Sequence, residues 1–213
     1  MKYQGKICSL LLGLAIAAIT TQKNAVAEDA PTAPPTPKAA DASKPADSKE
    51  VAVIKTSEGT IVVEFWTDAA PKTIENFKKL SKSGFYDGTC FHRVIPDFMI
   101  QGGDPNTKDA SNEGSWGQGG PGYTIDDEFN DHSHVRGVIS MANTGRPHSS
   151  GCQFFICQGS PTFLDHKYNT FGKVIKGMDV VDKIATTPTH PQDRPNKRMD
   201  IVSIKIVPAS EAQ

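Results

Sequence analysis

Among the residues of this chain that could do chemistry, Arg93 has the most informative neighbours. It lies within Phe91-His92-Arg93-Val94-Ile95-Pro96-Asp97-Phe98-Met99-Ile100-Gln101-Gly102-Gly103-Asp104. The stretch reads as two short strands, Phe91 to Ile95 and Phe98 to Gln101, joined across Pro96-Asp97 and closed by a Gly-Gly-Asp-Pro turn. Period-two alternation puts Arg93 on one face with Phe91 and Ile95, and Met99 with Gln101 on one face of the second strand. A guanidinium on an apolar face loses hydration, so it needs a buried carboxylate, a ligand, or a path for its head to the surface. On a ligand it would act as a charged hydrogen-bond donor.

The other possible chemistries find no complete residue set. Gly117-Gln118-Gly119-Gly120-Pro121-Gly122 matches the spacing of a dinucleotide-binding loop. That loop works only between a strand and a helix, and here no strand precedes it and Pro121 interrupts it, so it reads as a surface loop. His132 and His134 lack a third ligand at metal spacing and read as two exposed loop histidines. His92 alternates to the face opposite Arg93 and reads as structural. No serine stands in a G-x-S-x-G turn. What remains near the strand ends is apolar or amide-bearing: Phe98, Met99, Gln101, Asn143, Gln153, Phe155, Phe163 and Leu164. No metal or cofactor is expected. A site with one cation, no nucleophile and no acid–base pair suits a reaction that breaks no bond. Rotation about an X–Pro peptide is such a reaction, with a barrier of roughly 20 kcal/mol set by amide resonance and relaxation over tens of seconds.

The elements that must hold these residues are short. Val51 to Thr56 and Thr60 to Trp66, both rich in β-branched residues, flank Ser57-Glu58-Gly59 as a hairpin. Pro71 leads Ile74, Phe77 and Leu80 at helical spacing, with Gly84 past the end. Strands follow at Gly137 to Ala142, Gln153 to Cys157 and Phe171 to Ile175. A second helix runs from Met178 to Ala185, and a last strand from Ile201 to Val207. Many short strands with only two helices suggest an all-β barrel with helical caps.

Gly84-Phe85-Tyr86-Asp87-Gly88-Thr89, the stretch from Phe91 to Asp104, Ser140-Met141-Ala142-Asn143 and Gln153-Phe154-Phe155-Ile156 together resemble the signature blocks of the cyclophilin family of peptidyl-prolyl isomerases. The resemblance covers essentially all of 51–207, in order. It implies a closed eight-stranded antiparallel β-barrel capped by two α-helices, with the active groove on the barrel wall outside the packed interior. Arg93 matches the catalytic arginine of the family. Phe98, Met99, Phe155 and Leu164 match the proline-pocket walls, and Gln101, Ala142, Asn143 and Gln153 the positions that hold the peptide backbone. Gly117 and Thr144 match neighbouring groove positions. Two departures stand out: Phe163 where many members carry Trp, and Tyr168 where many carry His. The Trp replacement is associated with weak cyclosporin binding, so the resemblance implies activity with low cyclosporin affinity. Expected partners are proline-containing peptides and folding proteins. Two other classes fit part of the pattern: a non-catalytic proline-binding or holdase module with the same groove, and a lipocalin-like ligand barrel. The second requires a hollow interior, whereas the strand faces carry Phe, Ile, Val and Leu.

The chain's 213 residues carry a formal net charge of -1. Met1 to Ala27 reads as a secretory signal: Lys2 and Lys6, an apolar run from Ile7 to Ile19, and Ala25-Val26-Ala27 as a cleavage site. The run is short of the ~20 residues that span a bilayer. The leader carries three lysines and no acid, so the mature chain has a net charge of -4 and no basic cluster, which argues against nucleic acid. An exported, periplasmic or secreted monomer without stable membrane insertion is expected. Residues 28–50 hold five of the 15 prolines and no aromatic residue, the composition of a disordered linker. The folded domain is expected over 51–207, with 208–213 as a tail. Cys90, Cys152 and Cys157 are odd in number; buried thiols are the expectation, with a bridge at Cys90 left open.

Overall fold

The computed structural model describes residues 49–212. The expected leader and all but the last two residues of the expected linker lie outside the described residues.

Among the described residues, eleven strands and two α-helices follow in chain order: β1 (Glu50–Thr56), β2 (Gly59–Phe65), α1 (Pro71–Lys82), β3 (Thr89–Cys90), β4 (Arg93–Ile95), β5 (Met99–Gly102), β6 (Val138–Met141), β7 (Phe154–Cys157), β8 (Thr170–Lys176), α2 (Met178–Ala185), β9 (Thr189–His190), β10 (Arg194–Pro195) and β11 (Asp200–Pro208). Nine strands form one antiparallel sheet in the order β3-β11-β1-β2-β8-β6-β7-β5-β4, and β9 pairs with β10 in a separate ribbon. The sheet curls strongly but is an open half-barrel, which corrects the expected closed eight-stranded barrel. Its two edges, β3 and β4, are consecutive pieces of one segment with only Phe91 and His92 between them. They run on without reversing, so they cannot pair as a hairpin, and a parallel pairing would need a far longer crossover. Phe91 and His92 instead span the seam singly. The Phe91 N–H donates to Met199 O at 2.9 Å, and the His92 N–H to Gln101 O at 3.0 Å.

One face of the sheet encloses the main core. α1 begins at Pro71, and its first turn carries no acid of its own. Glu128, from a distant loop, accepts from the Lys72 and Thr73 N–H groups at 3.1 and 2.7 Å and caps it. The helix delivers Phe77 into the core, where its ring meets Tyr86, Phe154 and Phe171 with centroids 5.2 to 5.5 Å apart. α2 adds Val181 and Ile184, both fully buried. Large side chains fill this interior, so it has no room for a lipocalin-type ligand.

The opposite face is also apolar over β4 to β7. Met99, Phe155, Cys157, Val138 and Leu164 form a second buried cluster, joined by Ile95, Phe98, Ala142 and Tyr168. Period-two geometry sorts the strands between the two clusters. Val94, Ile100, Ile139 and Ile156 face the main core, whereas Ile95, Met99 and Phe155 face the other side. Phe91 departs from its expected place beside Arg93. It belongs to the main core with Val94, because residues 91–92 lie outside both β3 and β4 and the alternation restarts where β4 begins.

Candidate functional site

The outer cluster lies beneath a groove. Arg93 and Gln101 face each other across β4 and β5, and Gln101 faces Phe155 across β5 and β7. Arg93, Phe98, Met99, Gln101, Ala142, Asn143, Phe155, Leu164 and Tyr168 line one recess of about 140 Å3. An apolar cavity of about 150 Å3 accepts a benzene-sized ring, so this recess suits one small ring and little more. Gln101, Ala142 and Asn143 are shared with a second, wider recess of about 440 Å3 that also takes in Gly117, Thr144 and Gln153. Every expected site residue lines one recess or the other except Phe163. That side chain is 65% exposed and stacks on Phe98 with centroids 5.8 Å apart, on the rim.

The amides are held in a chain. Gln153 donates from Nε2 to the carbonyls of Gly117 and Gly119 at 3.0 and 2.9 Å, and accepts at Oε1 from Gln101 Nε2 at 3.0 Å. The Asn143 amide donates to Lys167 O at 2.9 Å and accepts from the Gly145 N–H at 2.9 Å. Asp104, fully buried, accepts from the Gly117 and Gly119 N–H groups and so anchors the glycine-rich loop to β5. Gly119 leaves no room for a side chain: a Cβ there would lie 2.0 Å from Asp104 Oδ1. The Gly117–Gly122 stretch is thus a loop that forms one wall of the groove.

Phe155 and Tyr168 rest on a buried polar group. His134 lies fully inside, its ring stacked on Phe155 and edge-on to Tyr168. Its Nδ1 lies 2.8 Å from Asp165 Oδ1, and its Nε2 lies 3.2 Å from Ser140 Oγ. This corrects the expectation of an exposed loop histidine. The surrounding residues carry no periodicity that betrays burial, and the partner Asp165 is 31 residues away. Burial lowers the His134 pKa against the opposing pull of Asp165. Burial works to raise that of Asp165, but the bonds from the His134 N–H, the Ser133 hydroxyl and the His134 ring outweigh it and bring it to about 2. A neutral imidazole donating from Nδ1 to a carboxylate and accepting the Ser140 hydroxyl satisfies all three groups. The three resemble a hydrolytic triad, but Ser140 is fully buried and meets no substrate.

His92 is structural. It is buried under Gly117, and its Nδ1 has no partner among the described residues. Burial, opposed by Asp104, takes its pKa from 6.5 to about 4. The unfolded chain gains this proton near pH 6.5 and the folded chain only near 4. Stability is therefore whole above pH ~6.5 and is lost as pH falls towards 4, by about 3 kcal/mol from this group. A decline of Tm across this window is expected, with a shallower slope in His92→Gln; an equal slope would place the titration elsewhere.

Cys90, Cys152 and Cys157 are free and buried. Burial pushes their thiols up to about 11, 12 and 12, so they pack as small hydrophobes and do not act as nucleophiles.

Arg93 is half-exposed and has a partner that the sequence did not reveal. Its Nε lies 3.2 Å from Asp193 Oδ2, while the side chain still lines the smaller recess. Asp193 stands in a stretch of Pro, Thr, His and Gln without hydrophobic period. Its only sequence-level signal is its place among turn-forming residues.

A family model described as "Cyclophilin type peptidyl-prolyl cis-trans isomerase/CLD" matches residues 51–206. The chain is 42% identical over 161 residues to the peptidyl-prolyl cis-trans isomerase-like 1 of Neurospora crassa, covering 72% of this chain and 92% of that one. To a peptidyl-prolyl cis-trans isomerase of Synechococcus elongatus it is 48% identical over 141 residues, covering 62% and 91%. Its fold matches that of a Cryptosporidium parvum cyclophilin type isomerase crystallised in the presence of the dipeptide Ala-Pro, with a TM-score of 0.67, 34% identity, and coverage of 74% of this chain and 98% of that one. A ring-sized apolar recess beside a half-exposed guanidinium, on the outer face of a curled sheet, therefore belongs to a chain that is a member of the cyclophilin family of peptidyl-prolyl cis-trans isomerases.

Proposed function

We propose that the groove isomerises X–Pro bonds in peptides and unfolded segments of exported proteins, with Arg93 as the catalytic residue. The observation that carries this reading is the joint placement of Arg93 and Phe98, Met99, Phe155 and Leu164 around one recess of ring size. The proline ring enters the recess. Gln101, Asn143 and Gln153, with Ala142, Gly117 and Thr144 beside them, hold the flanking backbone in the wider recess. Phe163 and Tyr168 bound the site at its rim and wall.

Twisting the X–Pro bond breaks amide resonance and localises a lone pair on the prolyl nitrogen. A guanidinium aimed at that nitrogen binds the twisted form better than either planar one, whereas a donor on the carbonyl oxygen, which loses negative charge on twisting, would favour the planar forms. Only such differential binding changes the rate. The apolar walls contribute by removing water from the amide, which strengthens the donor's interaction. No proton moves and no covalent intermediate forms.

The leader-like Met1 to Ala27 supports export, and hence clients that fold outside the cytoplasm; among the described residues no helix is long and apolar enough to cross a membrane. Phe163, exposed and smaller than the Trp common in the family, supports low cyclosporin affinity. A proline-limited refolding assay on the full chain tests the reading. A slow phase accelerated at substoichiometric enzyme is the expected result. Binding of the refolding chain without acceleration would point to the holdase alternative instead.

A further inference from the structure

We infer that Asp193 is a positioning residue for Arg93, delivered to it by a strained turn. This rests on the reading that Arg93 acts on the twisting bond. Gln192 and Asp193 have φ of 72° and 60°, two successive non-glycine residues in the left-handed region. Side chains there crowd the backbone, so such a turn persists only where its surroundings hold it.

The surroundings do hold it. The Asp193 carbonyl accepts from the Val94 N–H at 2.8 Å, which docks the turn beside β4 one residue from Arg93. On the far side of the ribbon, Arg194 pairs with Glu113 at 3.0 Å and lies over the Trp116 ring at 5.2 Å. Beyond β10, Lys197 reaches Glu58 at 2.6 Å, tying the segment that follows the ribbon to the β1–β2 turn. These anchors surround a residue whose carboxylate then meets Arg93 Nε at 3.2 Å.

The choice of nitrogen is informative. With Nε engaged, the two terminal nitrogens make no hydrogen bond to the protein among the described residues. They are the ones that remain for a substrate. The pair is half-exposed on both sides, at 42% and 44%, so as a stabilising ion pair it is worth little. Its consequence is orientational: an arginine has four rotatable side-chain bonds, and one fixed contact at Nε sets the plane of the guanidinium. The strain in the turn is then accounted for by what it places, a carboxylate at Arg93 Nε that leaves the terminal nitrogens for other partners.

Asp193→Asn is the informative variant. Asn tolerates the left-handed region as well as Asp does, so the turn is kept while the charge is removed. The expected result is a five- to tenfold fall in kcat for a prolyl peptide, with KM within twofold and Tm unchanged. Asp193→Glu should recover part of the loss. By NMR, the Arg93 Nε–H should exchange with water faster in Asp193→Asn than in the parent chain. Wild-type kcat and unchanged Nε–H exchange in Asp193→Asn would overturn the inference, as would a raised kcat, which would mark Asp193 as a competitor of the substrate. If Arg93→Ala itself keeps full activity, the catalytic reading falls instead. An inactive Arg93→Ala beside an unaffected Asp193→Asn falsifies the positioning role alone.

Discussion

Arg93→Ala is expected to lower kcat/KM for isomerisation of a prolyl peptide by about 10²- to 10³-fold, the effect of removing one well-placed donor from a developing charge. The magnitude follows from how the work is divided. Accelerating rotation by roughly four to five decades requires about 5.5–7 kcal/mol of preferential binding to the twisted bond. A single donor in a water-poor site supplies about 3–4 kcal/mol of this. On the proposed reading the rest falls to the apolar recess of Phe98, Met99, Phe155 and Leu164, and to the hydrogen-bonded Gln101–Gln153–Gly117 chain beside it. The loss should appear mainly in kcat, because the ring and backbone contacts survive. Tm should hardly move, since the ion pair that Arg93 makes with Asp193 is half-exposed. Arg93→Lys should recover little, because a point charge on a flexible stem cannot present the planar fork. An NMR exchange measurement at equilibrium reads the rate directly. A loss of only a few-fold would remove Arg93 from the centre of the mechanism and leave desolvation in the pocket as the main source of catalysis.

The sequence shows some parts of this site and hides others for physical reasons. β-branched runs and a Pro-led amphipathic segment specify their own conformations locally, so β1, β2, α1 and α2 lie within a residue or so of where periodicity puts them. The order of the strands is decided by pairings between distant residues, and alternation alone does not report it. Closure is the sharpest example. Whether β3 meets β4 depends on Phe91 and His92 spanning the seam, and each makes only one backbone bond there. The same break between β3 and β4 separates Phe91 from the Arg93 face, since alternation predicts a face only while the strand stays regular. Short motifs carried most of the groove residues because Arg93, Phe98, Met99, Gln101, Ala142, Asn143, Gln153 and Phe155 sit on strands or their immediate flanks. Asp193 escapes notice in the sequence, and His134 reads there as an exposed loop histidine, because each works through a partner 100 or 31 residues away, from a loop whose composition says only that it turns.

Gly159→Ala is expected to damage the site from behind, and by more than its size suggests. A Cβ at residue 159 would stand 2.0 Å from Asp97 O and 2.6 Å from Asp97 C, both backbone atoms with no rotamer to move to. The Asp97–Phe98 peptide is itself clamped there. Phe98 O accepts from the Gln158 and Gly159 N–H groups at 2.9 and 3.1 Å, and Gln158 Oε1 accepts the Asp97 N–H at 2.7 Å. Gln158 is fixed in turn to α2 through Asp182 at 2.9 Å, with Arg136 gripping both. An added methyl group must therefore push the β4–β5 turn outward, and Phe98, which walls the smaller recess, moves with it. Overpacking of this kind costs about 1–3 kcal/mol, and for a domain of this size about 2–4 °C of Tm accompanies each kcal/mol. The expected kinetic result is a KM raised about tenfold with a smaller change in kcat, because the ring is held less well while Arg93 stays in place. Gly114→Ala is the matched control: nothing lies within 4 Å of a Cβ there, and both parameters should stay within twofold. If Gly159→Ala kept the parent KM and Tm, the turn would have slack that its hydrogen bonds do not show, and Phe98 would be placed by its packing against Phe163 and Leu164 instead.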